Sequence, residues 1–257
     1  MRNLKLPRTS EVIKDLIYNK RYIFSSVNIR DMYGLSPFYT YRLIRRLLRE
    51  KLVHKLWRGI FILDAKFLSG VNKETLIDSL FNGKDYYFGL NYALLHWRMH
   101  DMPSFVSHVL TVNRSYIGRS LTILNETFKF VFINEKRFFG FIRKPISGGL
   151  INISDREKSL LDSILFIGRY VNFEDICKAL MLGLRNINRE KLIKYAFKIG
   201  SKALAQRLGY LLEVQGLNNY ASDLIKLVGQ NYVYLNPVGP KSGVKNSKWK
   251  IIVNAKC

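Results

Sequence analysis

The sequence predicts an α+β protein, with a small helical domain ending in a β-hairpin and then a larger mixed domain. Three observations predict this class: apolar residues recur at helical spacing near the start, an extended hairpin pattern follows them, and strand-like segments precede helical ones in the remainder. With 257 residues, 48% of them hydrophobic, the chain can bury a core and form two domains. We place the first domain at residues 1–65 and the second, with a largely antiparallel sheet and a C-terminal helical part, at residues 72–257.

A basic amphipathic helix is predicted from Pro37 to Glu50. Ser36 can cap it by accepting a hydrogen bond from a first-turn N–H, and Pro37 suits the first helical position. Four arginines at i, i+3, i+4, i+7 spacing share one face, and four apolar residues share the opposite face. The arginines are Arg42, Arg45, Arg46 and Arg49, and the apolar residues are Leu43, Ile44, Leu47 and Leu48. One side of the helix can therefore pack into a core while the other presents guanidinium groups to an anionic partner.

Two shorter helical patterns precede this basic helix. Ser10 to Lys20 has apolar residues at helical spacing and would support the helices that follow. Asn28 to Tyr33 carries Ile29 and Met32 on one stripe and stops at Gly34, which tolerates the left-handed conformation common at helix ends. The order helix, Gly-Leu-Ser turn, helix is that of a helix-turn-helix, whose second helix enters the DNA major groove.

An extended pattern follows the basic helix. Leu52 to Trp57 and Ile60 to Leu63 are both β-prone, and Arg58-Gly59 between them can form a tight turn. This hairpin would be the wing of an N-terminal winged helix-turn-helix, with Lys55 and Arg58 near its tip. The alternative is an ordinary surface helix with a solvated stripe of charge. We favour DNA binding because the stripe coincides with a cap, a turn and a basic hairpin in the expected order.

The charge balance also points to a polyanionic partner. The chain holds 42 Lys and Arg against 19 Asp and Glu, a formal net charge of +23. Residues 1–60 hold 14 basic and 4 acidic side chains, whereas residues 61–120 hold 6 and 5, so the excess falls in the segment already suspected. A membrane surface is anionic too, but we find no long apolar run, no signal-peptide core and no lipidation motif. We therefore expect a soluble, cytoplasmic protein with no membrane partner.

Cysteine usage fits the same compartment. The chain has only Cys177, inside a predicted helix, and Cys257, at the C-terminal end. We expect neither a disulfide framework nor a cysteine metal site, and this fits a reducing environment.

The larger domain begins with two predicted helices, Lys73 to Phe81 and Gly89 to Met99, after a short connector containing Gly70. Five strands are then predicted: His108 to Val112, Thr122 to Leu124, Lys129 to Asn134, Phe138 to Arg143 and Leu150 to Ile153. A capping box at Ser154-Asp-Arg-Glu157 predicts the start of another helix. The remaining predicted elements are three helices and two short strands around a basic loop: Phe173 to Leu182, Arg189 to Ile199, Lys202 to Val214, Tyr232 to Leu235 and Lys250 to Val253.

Four segments resemble, in the right order, the AbiEi family of type IV antitoxins. They are Leu52-Val-His-Lys-Leu-Trp-Arg-Gly-Ile-Phe61, similar to the family's wing; Tyr86-Tyr-Phe-Gly-Leu-Asn-Tyr-Ala-Leu-Leu-His96, similar to its next helix; Glu157-Lys-Ser-Leu-Leu-Asp162; and Arg207-Leu-Gly-Tyr-Leu-Leu-Glu213. The match is poorest from about Gly216 onward. The resemblance implies a DNA-binding antitoxin that represses its own operon at inverted repeats and counters a nucleotidyltransferase-like toxin, with or without direct contact.

Within the motif, the exposed side of the second helix should give sequence specificity. We expect Tyr39, Arg42 and Arg46 to reach base edges of double-stranded promoter DNA, because they lie toward the N-terminal half of the helix. Four other cations, Arg45, Arg49, Lys55 and Arg58, are expected to contact the phosphate backbone.

Other chemistries are weaker alternatives. His96, His100 and His108 could form a metal site, but the glutamate of the zinc-protease signature is missing. Asp155, Glu157 and Asp162 form the one dense acidic group that a metal-dependent nucleic-acid enzyme would need, and the capping box already explains two of them. The glycines of Gly239-Pro-Lys-Ser-Gly243 lack the spacing of a phosphate loop. We therefore expect a binding protein without cofactor, metal or catalytic residue. A protein-binding inhibitor and a nuclease remain the alternatives.

Overall fold

The computed structural model describes residues 6–123, 125–146 and 149–257. The chain divides into two compact units, the first comprising Met1–Lys84 and Lys144–Ile151 and the second comprising Asp85–Arg143 and Asn152–Cys257. The described residues form helices together with antiparallel and mixed sheets, so the predicted α+β class is confirmed. None of the helices in the described part of the chain combines the length and apolar character needed to cross a membrane.

The described residues of the first unit form four helices and a three-stranded sheet. In chain order these are α1 Thr9–Tyr18, β1 Ile23–Ser25, α2 Ser26–Tyr33, α3 Pro37–Arg49, β2 Val53–Trp57, β3 Ile60–Leu63 and α4 Lys73–Phe81. The sheet is antiparallel with strand order β1-β3-β2. All three predicted helices and the predicted hairpin are confirmed, whereas β1 was not predicted.

The ends of α2 and α3 follow from local chemistry. The Ser36 hydroxyl accepts a hydrogen bond from the Tyr39 N–H at 3.4 Å, and Pro37 occupies the first turn. Gly34 ends α2 with φ 59°, in the left-handed region. The predicted cap and stop are therefore confirmed. The apolar sides of α1, α2 and α3 meet the sheet in one core that includes Val12, Leu16, Ile29, Leu43, Leu47 and Phe61.

Among the described residues, the larger sheet has six strands in the order β6-β7-β5-β4-β9-β8. The strands are β4 Tyr86–Gly89, β5 Val106–Thr111, β6 Ser120–Ile123, β7 Glu126–Phe132, β8 Phe141–Ile146 and β9 Gly149–Ser154. β5 pairs with β7 and β4 with β9 in parallel, while β4–β5 and β6–β7 are antiparallel. The sheet is therefore mixed rather than largely antiparallel. Leu124, the last residue of the second predicted strand, lies outside the described residues.

Helix α5, Leu90–His96, lies between β4 and β5. Four predicted helices follow the sheet: α6 Arg156–Leu165, α7 Phe173–Gly183, α8 Arg189–Ile199 and α9 Lys202–Val214. The short helix α10 Asn218–Ala221, which was not predicted, comes next, and a small second sheet ends the chain. The last sheet joins β10 Val233–Tyr234, β11 Val244–Asn246 and β12 Ile251–Val253 in the order β10-β12-β11. Its neighbour Trp249 is fully buried in the core of the unit.

Three local predictions are corrected. The predicted helix from Gly89 begins one residue later, because Tyr86–Gly89 is a strand paired with β5. The capping box at Ser154 is wrong: Asp155 caps α6 by accepting from the Lys158 N–H at 2.9 Å, and Ser154 stays in β9. The expectation of no disulfide is also wrong, because the sulfur atoms of Cys177 and Cys257 are bonded, with Cα atoms 5.3 Å apart.

Candidate nucleic-acid interface

The outward face of α3 is built from aromatic and basic side chains. Its inward face is formed by Thr40, Leu43, Ile44 and Leu47, which are buried. On the other side Phe38 is 64% exposed and Tyr41 60% exposed, and Arg42, Arg45 and Arg49 are exposed with them. The 3.6-residue period of the helix therefore divides it into a core side and a side open to a partner.

Each of two arginines lies against an aromatic ring four residues earlier. The guanidinium carbon of Arg42 is 5.7 Å from the centroid of the Phe38 ring, and that of Arg45 is 5.6 Å from the Tyr41 centroid. Such contacts limit the rotamers of a long side chain without neutralising its charge. Among the residues that the structure describes, no carboxylate forms an ion pair with Arg42, Arg45 or Arg49, although the charge of Arg49 helps to lower the pKa of Glu50.

Arg46 differs from the other three arginines of the stripe. Its Nε lies 2.8 Å from Oε1 of Glu50, one turn further along the chain. The Arg46 hydrogen bond is the main reason why the pKa of Glu50 is lowered. Both side chains are exposed, so this ion pair is weak and a stronger partner could displace it.

A groove of about 530 Å³ separates α3 from the hairpin β2–β3 and from α2. Arg30, Arg45, Lys55 and Arg58 line it, and Ile44, Leu48 and Phe61 contribute apolar walls. Of these cations, Arg30 has a carboxylate neighbour, Asp31, at 3.4 Å. The groove therefore has cations on the helix and on the hairpin, the two elements that the sequence singled out.

The hairpin tip is held in place by the backbone. Gly59 has φ 76°, a left-handed conformation that suits the tight turn between β2 and β3. Its carbonyl accepts a hydrogen bond from the Ser26 N–H at 3.0 Å. This bond fixes the tip to the start of α2, and with it the position of Arg58.

The other predicted residues lie on the same two elements. Tyr39, 37% exposed, stands in the first turn of α3 with its ring against Phe38. Lys55 is opposite Phe61 in the hairpin register, just before a bulge that ends at Trp57. Arg30, Phe38 and Tyr41 were missed by sequence reasoning. An available signal was the aromatic-to-arginine spacing of four residues on a single helix face.

The three carboxylates that a nuclease would need lie in the second unit, where they form ion pairs with lysines and hydrogen bonds with tyrosines. Asp162 is fully buried, forms an ion pair with Lys158 and accepts from the Tyr87 hydroxyl at 2.8 Å. Burial raises the pKa of the Asp162 carboxyl and lowers the pKa of Lys158. Asp155 and Glu157 share the Lys191 ammonium, each at 3.1 Å. All three carboxylates therefore already have partners within the protein.

The three candidate histidines have separate surroundings. His96 packs edge-on against Trp97, while His100 lies 2.9 Å from Asp175 and 3.0 Å from the Met102 carbonyl. His108 is buried beside Tyr170, and burial lowers its pKa to about 4. Across residues 6–123, 125–146 and 149–257, no group of three His, Cys, Asp or Glu side chains could hold a metal ion.

The fold and the site define an α+β protein of two units, one of which carries an aromatic and basic helix face. The crystal structure of the RV2827C protein from Mycobacterium tuberculosis has a similar fold, with a TM-score of 0.56 and 12% sequence identity. The similarity covers 96% of this chain and 92% of that chain. No family model and no curated protein sequence matches this chain.

Proposed function

We propose that the chain binds double-stranded DNA through a winged helix-turn-helix formed by α2, α3 and the hairpin β2–β3. The observation that carries this proposal is the outward face of α3, where Arg42, Arg45 and Arg49 have no carboxylate partner among the described residues. An exposed cluster of unpaired guanidinium groups repels itself and attracts a polyanion. In this arrangement α3 lies in the major groove and the hairpin lies along the adjacent backbone.

In this proposal the side chains of α3 make different kinds of contact with DNA. Arg42, near the helix N-terminus, is suited to a bidentate contact with guanine, and Phe38 beside it is suited to a thymine methyl group. Tyr39 is a further candidate for a base edge. Arg46 is a weaker candidate than Arg42, because a base contact requires it to leave Glu50.

Phosphate contacts are assigned to the groove between α3 and the hairpin. Arg45, Lys55 and Arg58 line it, and Tyr41, which also lines it, is assigned as a hydroxyl donor to phosphate. Arg49, at the end of α3, is assigned to the backbone as well. Binding by these cations releases counterions, so affinity should fall steeply as salt rises.

For the biological role we propose an antitoxin of the AbiEi kind that represses its own operon and counters a nucleotidyltransferase-like toxin. The support is the set of four segments, in order, that resemble this family. The test is a gel shift with the duplex just upstream of the gene, in the presence of unrelated competitor DNA. We expect the shifted complex to persist when competitor DNA is added. Complete loss of the complex with an equal mass of competitor would show that the duplex contains no specific site.

A second candidate is inhibition of a partner protein by direct contact. It is favoured by the loop after α5, where Phe105 is 85% exposed and Met102 is also exposed. Large apolar side chains on a loop suit a protein interface better than a DNA backbone. Co-purification of the neighbouring gene product with the wild-type chain, lost in Phe105→Ser, would support this candidate. Metal-dependent cleavage of nucleic acid is disfavoured because Asp155, Glu157 and Asp162 are engaged in ion pairs with Lys191 and Lys158.

A further inference from the structure

A second basic groove lies in the second unit, with a volume of about 430 Å³. One side is formed by β6, β7 and the residues before them, and the other side by the segment that follows α6. Its lining includes three cations, Arg119, Lys129 and Arg169, together with the aromatic rings of Phe166 and Tyr170. No carboxylate is among the described residues that line the groove.

Two of the cations are available to a ligand. Lys129 and Arg169 are exposed, and neither has a carboxylate partner within the described ranges. The Arg169 guanidinium carbon lies 5.1 Å from the centroid of the Tyr170 ring. A planar guanidinium resting on an aromatic ring keeps its N–H groups free for a second partner and can itself stack on a base.

A buried histidine stands next to this groove. In the parallel pairing of β5 with β7, His108 is the register partner of Lys129, and its ring centroid is 5.3 Å from that of Tyr170. His108 is only 6% exposed, and its Nδ1 has no hydrogen-bond partner among the described residues. Buried polar atoms normally have hydrogen-bond partners, so a polar group of a bound ligand would supply the partner that the His108 Nδ1 lacks.

These features suit a ligand that carries both phosphate and an aromatic base. Arginine and lysine are the side chains that bind phosphate, and aromatic rings are the surfaces on which bases stack. The volume lies within the range of small-molecule sites. We propose that this groove binds a mononucleotide, with its phosphates on Arg119, Lys129 and Arg169 and its base against Phe166 and Tyr170. None of the lining residues belongs to α3, and the proposal does not depend on DNA binding.

The test is calorimetric titration of the full chain with each of the four ribonucleoside triphosphates, with inorganic triphosphate, and with adenosine. At least one nucleotide should bind at a single site, and both triphosphate and adenosine should bind more weakly than that nucleotide. Arg169→Ala and Lys129→Ala should each weaken nucleotide binding by about tenfold, since each removes a charge-assisted hydrogen bond. Arg169→Lys should retain part of the affinity, which an effect on folding would not explain.

Two control variants separate this site from general charge attraction. Arg185→Ala removes an exposed charge elsewhere in the same unit, and Arg45→Ala removes one from the α3 face. Both should leave nucleotide binding unchanged, while Arg45→Ala should weaken DNA binding. The proposal is overturned if no nucleotide binds saturably, or if Arg185→Ala weakens binding as much as Arg169→Ala. Binding of single-stranded oligothymidylate without binding of any mononucleotide would also overturn it and would indicate a strand-binding surface instead.

Discussion

The guanidinium of Arg42 rests on the exposed ring of Phe38, with 5.7 Å between the guanidinium carbon and the ring centroid. The two residues are four apart on α3, so the contact is a direct consequence of helical spacing. The ring supports the cation in an extended position on the outward face while leaving its N–H groups available. We regard this pair as the base-reading element of the proposed DNA interface.

The Phe38 ring is expected to contact a thymine methyl group. The test uses a duplex selected from a random library for binding to the chain. Replacing the thymidine that Phe38 is expected to contact by deoxyuridine removes only the methyl group. We expect the wild-type chain to lose about three- to tenfold in affinity, as for one buried methyl group. Phe38→Ala should bind thymine and uracil duplexes equally. Equal discrimination by Phe38→Ala and wild type would contradict the assignment.

Arg42 and Arg58 are expected to play different roles. Arg42→Ala should cost roughly 1–3 kcal/mol on the preferred duplex and should reduce the difference between preferred and mismatched sequences. Arg58→Ala should weaken both duplexes alike and reduce the salt slope of binding by about one. Fluorescence anisotropy with both duplexes over a salt series measures both quantities. Identical effects of the two variants on sequence preference would show that the roles are misassigned.

The buried pair of Lys158 and Asp162 should be critical for stability of the second unit. Lys158→Met leaves the Asp162 carboxylate buried with only Tyr87, and we expect a loss of about 3–5 kcal/mol in the free energy of unfolding. The double variant Lys158→Met with Asp162→Leu should be less unstable than Lys158→Met alone, because no charge is left unpaired. Urea unfolding measures both.

An exposed pair is the matched control for this prediction. Lys178 and Asp101 form an ion pair on the surface of the same unit at 3.2 Å. Lys178→Ala should change the unfolding free energy by less than about 1 kcal/mol. A loss in Lys178→Ala as large as in Lys158→Met would show that burial is not the deciding factor.

His108 should make stability depend on acidity. Burial lowers its folded pKa to about 4, with a smaller contribution from Lys129, whereas the unfolded chain keeps the ordinary value near 6.5. Between these two pKa values the unfolded state binds the proton more tightly than the folded state does. The stability that neutral His108 contributes is therefore complete above about pH 6.5 and is lost as the pH falls toward 4. From neutrality to about pH 5 the wild type should lose roughly 2 kcal/mol through this group.

The variant His108→Gln isolates this effect. Glutamine does not titrate. The difference in unfolding free energy between neutral pH and about pH 5 should therefore be smaller than in the wild type by roughly 2 kcal/mol. Urea unfolding at neutral pH and near pH 5 is the measurement. An unchanged pH dependence in His108→Gln would assign the acid sensitivity to other groups.

Much of the first unit could be predicted because its signals are local. The Ser36 cap, the Gly34 stop and the apolar period of α3 all lie within the segments they shape. β1 was missed because three residues, Ile23–Ser25, become a strand only through pairing with β3. The same reason explains the missed disulfide, since nothing near Cys177 indicates that it lies beside Cys257.

The candidate site was predicted less completely than the helices that carry it. The arginine stripe follows from residue spacing. Phe38 and Tyr41 were not predicted, because their exposure depends on how α3 packs. The Arg46–Glu50 pair was foreseeable, because oppositely charged residues at i, i+4 meet on a helix. Lys158 could not be placed from sequence, because its burial depends on Tyr87 and Asp162 in folded contact.

The most direct measurement is the affinity of the full chain for the duplex upstream of its gene, compared with two triple variants of equal charge. One replaces Arg42, Arg45 and Arg49 by alanine, and the control replaces the exposed cations Arg185, Lys194 and Lys226 of the second unit. We expect loss of specific binding in the first variant and near-wild-type binding in the control, with both variants folded by circular dichroism. Equal affinity of the two variants would contradict it.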